Sequence, residues 1–133
     1  MIHPAVIEAR EWIGTPYVPQ ARVKGIGCDC VGLIVGVGEQ TGLLAACALP
    51  PYREGDIALM DSMFPAHFER IESPEPGAVL QLDVPGNRRH LAICAGNSII
   101  HVYGRKYGVT EHPLSARWLS RVVSCWRFGV ISG

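Results

Sequence analysis

Charge of either sign is scarce in this chain, and neither sign is in excess. Charged residues make up 18% of the 133 residues, and 12 lysines and arginines balance 12 aspartates and glutamates. Because proteins that bind nucleic acid carry a basic patch or stripe, we expect no nucleic-acid partner. The apolar fraction of 48% is too high for a disordered segment. The composition therefore predicts a globular protein.

The sequence also has no long apolar run and no pattern typical of a signal peptide. Its longest apolar runs, at 31–37 and 43–49, are interrupted by glycine or end well short of the roughly 20 residues of a membrane span. Five cysteines in such a chain indicate a reducing compartment, where thiols stay free. We expect one domain over residues 1–133, with no membrane span, no internal repeat and synthesis in the cytoplasm.

Helical periodicity fills the first half of the chain and alternation of apolar and polar residues the second half. The spacing predicts helices at 3–13, at 30–42 with Gly42 as its end, and at 56–71. Predicted strands follow at 78–84, 90–95, 99–103, 108–112 and 122–128. Helices followed by strands predict an α+β fold, with the helices packed on an antiparallel sheet of five or more strands.

Cys30 lies where a glycine-rich loop meets the second predicted helix. A thiol at a helix N-terminus is stabilised as thiolate, and the unpaired N–H groups there can hold an oxyanion. Cys30 is therefore a candidate nucleophile with a thiol more acidic than the free value of about 8.5. Cys28 is a rival thiol, and both cysteines can equally be small buried residues of a core.

Two histidines are candidates for the base that such a nucleophile needs. Gly96-Asn97 predicts a tight hairpin, which sets position 101 opposite 92 and position 90 opposite 103. His90 and His101 are then diagonal neighbours on one face. The other three histidines are predicted to lie on the surface without a role: His3, His67 and His112. The remaining cysteines are predicted to belong to the core: Cys47, Cys94 and Cys125.

Several motifs in this order resemble the NlpC family of papain-like cysteine peptidases, in particular its short phage-tail branch. They are residues 9–17 (AREWIGTPY), 27–33 (GCDCVGL), 76–80 (PGAVL), 90–93 (HLAI) and 100–103 (IHVY). The resemblance implies a papain-like fold with Cys30 as nucleophile, His90 as base and His101 as the residue that orients His90. It also implies substrate contacts from Tyr17 and Asp29.

The implied activity is hydrolysis of a peptide bond in the peptidoglycan stem peptide, between D-glutamate and a diamino acid. The implied partners are that peptide and other phage tail proteins, and the implied place of action is the tail or virion on the cell wall. No cofactor or metal is expected. One departure bears on specificity: Val31 stands where many cell-wall members have a substrate-binding serine.

Two alternatives remain open from the sequence. One is a structural tail protein that has kept the fold and lost activity, although all three expected polar positions are filled. The other is a zinc site built from Cys28, Cys30, His90 and His101, whose Cys-x-Cys spacing is tighter than usual for zinc.

Overall fold

The computed structural model describes residues 1–45, 49–85 and 89–129. Within these ranges the helices are α1 (Pro4–Glu11), α2 (Cys30–Thr41), α3 (Ile57–His67) and α4 (Ala116–Leu119). The strands are β1 (Arg22–Val23), β2 (Gly27–Cys28), β3 (Phe68–Ile71), β4 (Val79–Leu82), β5 (His90–Cys94), β6 (Ser98–Val102), β7 (Val109–Pro113) and β8 (Val122–Phe128). Cys47, which was predicted to belong to the core, lies outside the described residues.

A six-stranded antiparallel sheet forms the second half of the fold. Its strand order is β3-β8-β4-β5-β6-β7, and β1 and β2 form a separate small hairpin. Strands β4 to β7 follow one another as a meander, and β8 returns to lie between β3 and β4. The predicted α+β class, with helices on an antiparallel sheet of five or more strands, is confirmed.

Helices α1 and α2 pack against each other and against the central strand β5. Successive residues of β5 and β6 belong to different faces of the sheet, because successive side chains of a strand point to opposite sides. Leu91 and Ile93 belong to the main core with α1 and α2, whereas Ala92 and Cys94 belong to a second cluster on the other face. His90 and His101 share the alternation of that second face.

The glycines of α2 allow it to approach its neighbours closely. A Cβ added at Gly36 would lie 2.4 Å from the ring of Trp12, which is fully buried on the adjoining turn. Gly42 ends the helix in the left-handed conformation, with φ 75°. The prediction of a helix from Cys30 to Gly42 that depends on close packing is therefore confirmed.

The predicted helix at 56–71 is wrong in its last turn. Helix α3 ends at His67, and residues 68–71 form strand β3, which pairs with β8 through Phe68↔Phe128. The Phe68 ring lies against Phe64 at 4.7 Å and against Phe128 at 5.2 Å between ring centroids. Strand pairing and this aromatic contact outweigh the helical periodicity. The short hairpin β1–β2 and the single turn α4 were not predicted from the sequence.

In the part of the chain that the structure describes, no helix has the length and apolar character that crossing a membrane requires.

Candidate active site

Cys30 is the first residue of α2, and the sequence builds this helix start locally. The Asp29 side chain accepts a hydrogen bond from the Gly32 N–H at 2.8 Å, and the Asp29 carbonyl accepts from Leu33 N–H at 2.9 Å. Aspartate is among the preferred residues at this capping position. The N–H groups of the first turn have no partner within the helix. Cys30 thus lies beside donors suited to a developing negative charge.

The loop before α2 is held against the helix start by a close backbone approach. A Cβ at Gly32 would lie only 1.9 Å from the carbonyl oxygen of Ala21. That same carbonyl accepts a hydrogen bond from Asp29 N–H at 3.3 Å. Glycine at position 32 therefore allows the loop to contact the first turn beside Cys30.

One narrow pocket opens onto the Cys30 side chain. Its lining includes Tyr17, Asp29, Cys30 and His90, together with residues 52–55 of the loop that precedes α3. Cys30 is 7% exposed. Cys28 is fully buried in β2, next to Tyr17 in an isolated bridge, and does not line this pocket. Of the two rival thiols, Cys30 is the one that shares a pocket with a histidine.

His90 and His101 meet as the hairpin register predicts. The observed pairs Ile93↔Ile100 and Cys94↔Ile99 have the predicted register, and His90 Nε2 lies 2.7 Å from His101 Nδ1. Both rings are fully buried. The other ring nitrogen, His90 Nδ1, is buried and has no hydrogen-bond partner among the residues that the structure describes. The pocket that holds Cys30 is therefore also lined by a histidine with an unpartnered buried nitrogen.

A third histidine continues this arrangement and was missed from the sequence. His112 was predicted to be a surface residue, but its Nε2 lies 2.7 Å from His101 Nε2. His112 is half-buried, so its place at the surface is not contradicted, but its contact with His101 was missed. The contact arises because β7 pairs with β6, with Ile99 opposite His112, which sets His112 diagonal to His101 on the same face. The signal in the sequence is the equal spacing of His90, His101 and His112, eleven residues apart on three successive strands.

Burial disfavours the charged forms of Cys30 and His90, the thiolate and the imidazolium. Desolvation, followed by the charge of Asp29, raises the pKa of the Cys30 thiol to about 12, although N–H groups of Leu91 and Val31 act in the opposite direction. Desolvation lowers the pKa of His90 to about 4. The free protein thus favours neutral thiol and neutral imidazole at pH 7. This differs from the acidic thiol expected from the helix end, because burial outweighs the helix dipole.

Asp29 has its carboxylate oxygens committed to neighbouring groups. Besides the Gly32 N–H, they accept from Gln20 N–H at 2.6 Å and from the Tyr52 hydroxyl at 2.7 and 2.8 Å. The substrate contact that the motif resemblance implies for Asp29 stays a prediction. Tyr52 was not singled out from the sequence; its partner lies 23 residues away.

Tyr17, the other predicted substrate contact, lies in the pocket wall with the guanidinium of Arg105 5.3 Å above its ring. Desolvation is the largest cause of a raised pKa of its hydroxyl, so that hydroxyl stays protonated near neutral pH. Among the described residues, no group of three or more histidine, cysteine, aspartate or glutamate side chains could hold a metal ion. The four-residue zinc site has no support in this geometry.

Comparison with protein-family models finds no match, and comparison with curated proteins finds none either. Solved structures do match. An NLP/P60-family protein described as similar to lipoprotein, from Staphylococcus aureus, is 23% identical with a TM-score of 0.64 over 96% of this chain. The NlpC/p60 domain of the peptidoglycan hydrolase SagA is 23% identical with a TM-score of 0.62 over 92% of this chain. The peptidoglycan hydrolase RipB from Mycobacterium tuberculosis is 19% identical with a TM-score of 0.61 over 96%.

The chain spans different shares of these neighbours. It covers 41% of the staphylococcal protein and 64% of RipB, but 94% of the SagA domain. At these identities the likeness shows the fold, the papain-like α+β fold of NlpC/P60 structures.

Proposed function

We propose that this chain is a cysteine peptidase that hydrolyses a peptide bond in the peptidoglycan stem peptide. The observation that carries the proposal is the pocket shared by Cys30, at the N-terminus of α2, and His90. His90 Nδ1 is buried and has no partner within residues 1–45, 49–85 and 89–129. Two of the structural neighbours are described as peptidoglycan hydrolases, which supports this substrate class.

In this proposal His90 Nδ1 takes the proton of the Cys30 thiol as the sulfur attacks the peptide carbonyl carbon. The carbonyl oxygen becomes an oxyanion, which the Cys30 N–H at the helix start can stabilise. His90 then gives the proton to the departing amine, leaving a thioester on Cys30. Water, with His90 again as base, attacks the thioester and releases the acid and the thiol.

His101 orients the base. His101 Nδ1 lies 2.7 Å from His90 Nε2, and this bond holds the His90 ring by the nitrogen that is not proposed as the base. A third group that holds the base is a recurring part of such nucleophile–base pairs. Tyr17 and Asp29 are proposed to contact the substrate near Cys30.

The finer parts of the proposal rest on the motif resemblance alone. They are cleavage between D-glutamate and the diamino acid, partnership with phage tail proteins, and action on the cell wall from the tail. Val31 bears on the peptide preference, because it lines the pocket where a serine is usual in the cell-wall members that the motifs resemble.

The test is incubation with defined stem peptides and identification of products by mass spectrometry. Cys30→Ser should abolish cleavage with the fold intact, while Cys28→Ser, a matched change two residues away, should keep most activity. Folding of both variants is checked by circular dichroism. Cleavage by Cys30→Ser together with loss in Cys28→Ser would contradict the assignment of the nucleophile. No cleavage of any stem peptide by the unmodified protein would instead favour the structural tail protein.

A further inference from the structure

Three histidine rings form one hydrogen-bonded chain across three strands. His90 Nε2 lies 2.7 Å from His101 Nδ1, and His101 Nε2 lies 2.7 Å from His112 Nε2. The outer end is His112 Nδ1, which lies 3.0 Å from the backbone carbonyl oxygen of Pro113. The inner end is the buried Nδ1 of His90, which has no partner in the described part of the polypeptide. The chain therefore runs from a backbone carbonyl to the Cys30 pocket.

The carbonyl at the outer end decides where each proton lies. A carbonyl oxygen only accepts, so His112 Nδ1 must carry the hydrogen and the Nε2 of a neutral His112 must accept. His101 Nε2 then donates, which leaves His101 Nδ1 as an acceptor. His90 Nε2 donates in turn, so His90 Nδ1 carries a lone pair. This is the protonation state that a general base facing a thiol requires.

The ring of His112 is held in place for this role. It packs on Trp118 of α4 at 5.0 Å between ring centroids, and Trp118 also contacts the rings of His101 and Tyr103. The guanidinium of Arg121 lies 5.2 Å from the Trp118 ring. The neighbouring carboxylate of Glu111 is bound to Arg10 and Ser98.

We propose that His112 is a positioning residue, which through its bond to the Pro113 carbonyl fixes the tautomers of His101 and His90 so that His90 Nδ1 is unprotonated toward Cys30. The inference rests on the proposed function for its catalytic meaning, but the tautomers themselves are a property of the resting protein. A second proton on His112 would reverse every bond in the chain. His112 Nε2 would then donate, and His90 Nδ1 would carry a hydrogen.

Three substitutions distinguish the effect of the hydrogen-bond acceptor at position 112 from the effect of side-chain size there. His112→Gln offers a carbonyl oxygen to His101 Nε2, His112→Leu fills the space beside Trp118 without an acceptor, and His112→Lys offers only donors. The matched control is His67→Gln, at an exposed histidine that is not one of the three hydrogen-bonded histidines. We expect kcat/KM within about 3-fold for His112→Gln, about 10-fold lower for His112→Leu and about 100-fold lower for His112→Lys, within the range of general-base contributions.

The second measurement is ¹⁵N NMR of the histidine rings near pH 7.5, which reports tautomers without any substrate. The unmodified protein and His112→Gln should show His90 with hydrogen on Nε2 and a bare Nδ1, and His112→Lys should show the reverse. Hydrogen on His90 Nδ1 in the unmodified protein would overturn the inference, as would equal losses of kcat/KM in all three variants. Failure to cleave stem peptides would overturn the proposed function, while the NMR result still decides the tautomers.

Discussion

Mild acidification should destabilise this fold, because two buried histidine rings resist protonation. His90 and His101 are fully buried, and desolvation lowers the pKa of His90 to about 4 and that of His101 to about 2. The nearby His112 acts in the same direction on both rings. Each ring takes up a proton near pH 6.5 once the chain is unfolded. Below pH 6.5 the unfolded state therefore binds more protons, and the free energy of unfolding falls as the pH falls.

The magnitude follows from the separation of the pKa values. Between pH 7 and pH 5 one ring that stays neutral in the fold and titrates near 6.5 when unfolded costs about 2 kcal/mol, and two rings cost about 4 kcal/mol. This is a large share of the roughly 5–15 kcal/mol that holds a domain folded. The contribution is fully present above pH 6.5 and is lost as the pH falls toward the folded value of about 4. Hydrogen bonds from Arg127 and Arg10 lower the pKa values of Glu75 and Glu111, so protonation of these two carboxylates does not account for a loss between pH 7 and pH 5.

The assay is urea unfolding at pH 7, 6 and 5, followed by tryptophan fluorescence. His101→Gln removes one titrating ring, so its loss between pH 7 and pH 5 should shrink to about half that of the unmodified protein. The exposed His67→Gln should lose as much as the unmodified protein. An unfolding free energy that is flat from pH 7 to pH 5, or an equal slope in His101→Gln, would refute the reasoning.

Three further predictions concern the helix start. Iodoacetamide should inactivate the protein through Cys30 at a rate that keeps rising beyond pH 8.5, because burial raises the pKa of this thiol. A rate that already reaches its plateau at pH 6 would instead show a preformed ion pair between Cys30 and His90. Gly32→Ala should lower the free energy of unfolding by about 1–3 kcal/mol in urea titrations, because its methyl group meets the Ala21 carbonyl. Tyr52→Phe should lower it by about 1.5–3 kcal/mol, because the Asp29 carboxylate loses a hydrogen-bond donor; unchanged stability would contradict that bond.

Features fixed by neighbouring residues were predictable from the sequence. The Gly96-Asn97 turn determines the register of β5 and β6, so the contact of His90 with His101 follows from two residues of local chemistry. The end of α2 at Gly42 likewise depends on one left-handed position. At these two points local geometry fixes the strand register and the helix end.

Features that depend on distant partners were not predictable. Residues 68–71 read as helix because their strand partner, Phe128 and its neighbours, lies about 60 residues further on. His112 was assigned to the surface because it precedes Pro113, and its contact with His101 depends on the pairing of β6 with β7, whose connection is longer than a two-residue turn and does not fix the register. The thiol of Cys30 was expected to be acidic from its place at the helix start alone. Its burial depends partly on residues 52–55, which are distant in sequence and reach the pocket only in the folded chain.

The neutral state of the Cys30 and His90 pair determines where the histidine chain should act in the proposed reaction. In the free protein both groups are uncharged, so the bonds from His101 and His112 hold a neutral ring. Charge develops on His90 only when it takes the thiol proton, and the bond from its Nε2 to His101 then becomes charge-assisted and stronger. An interaction that strengthens only in the transition state raises kcat and leaves substrate affinity unchanged. Substitutions at His101 or His112 should accordingly lower kcat for a stem peptide with little effect on KM. Tyr17→Ala, in the wall of the pocket, should instead raise KM. A raised KM with unchanged kcat in the histidine variants would assign the three histidines to substrate binding.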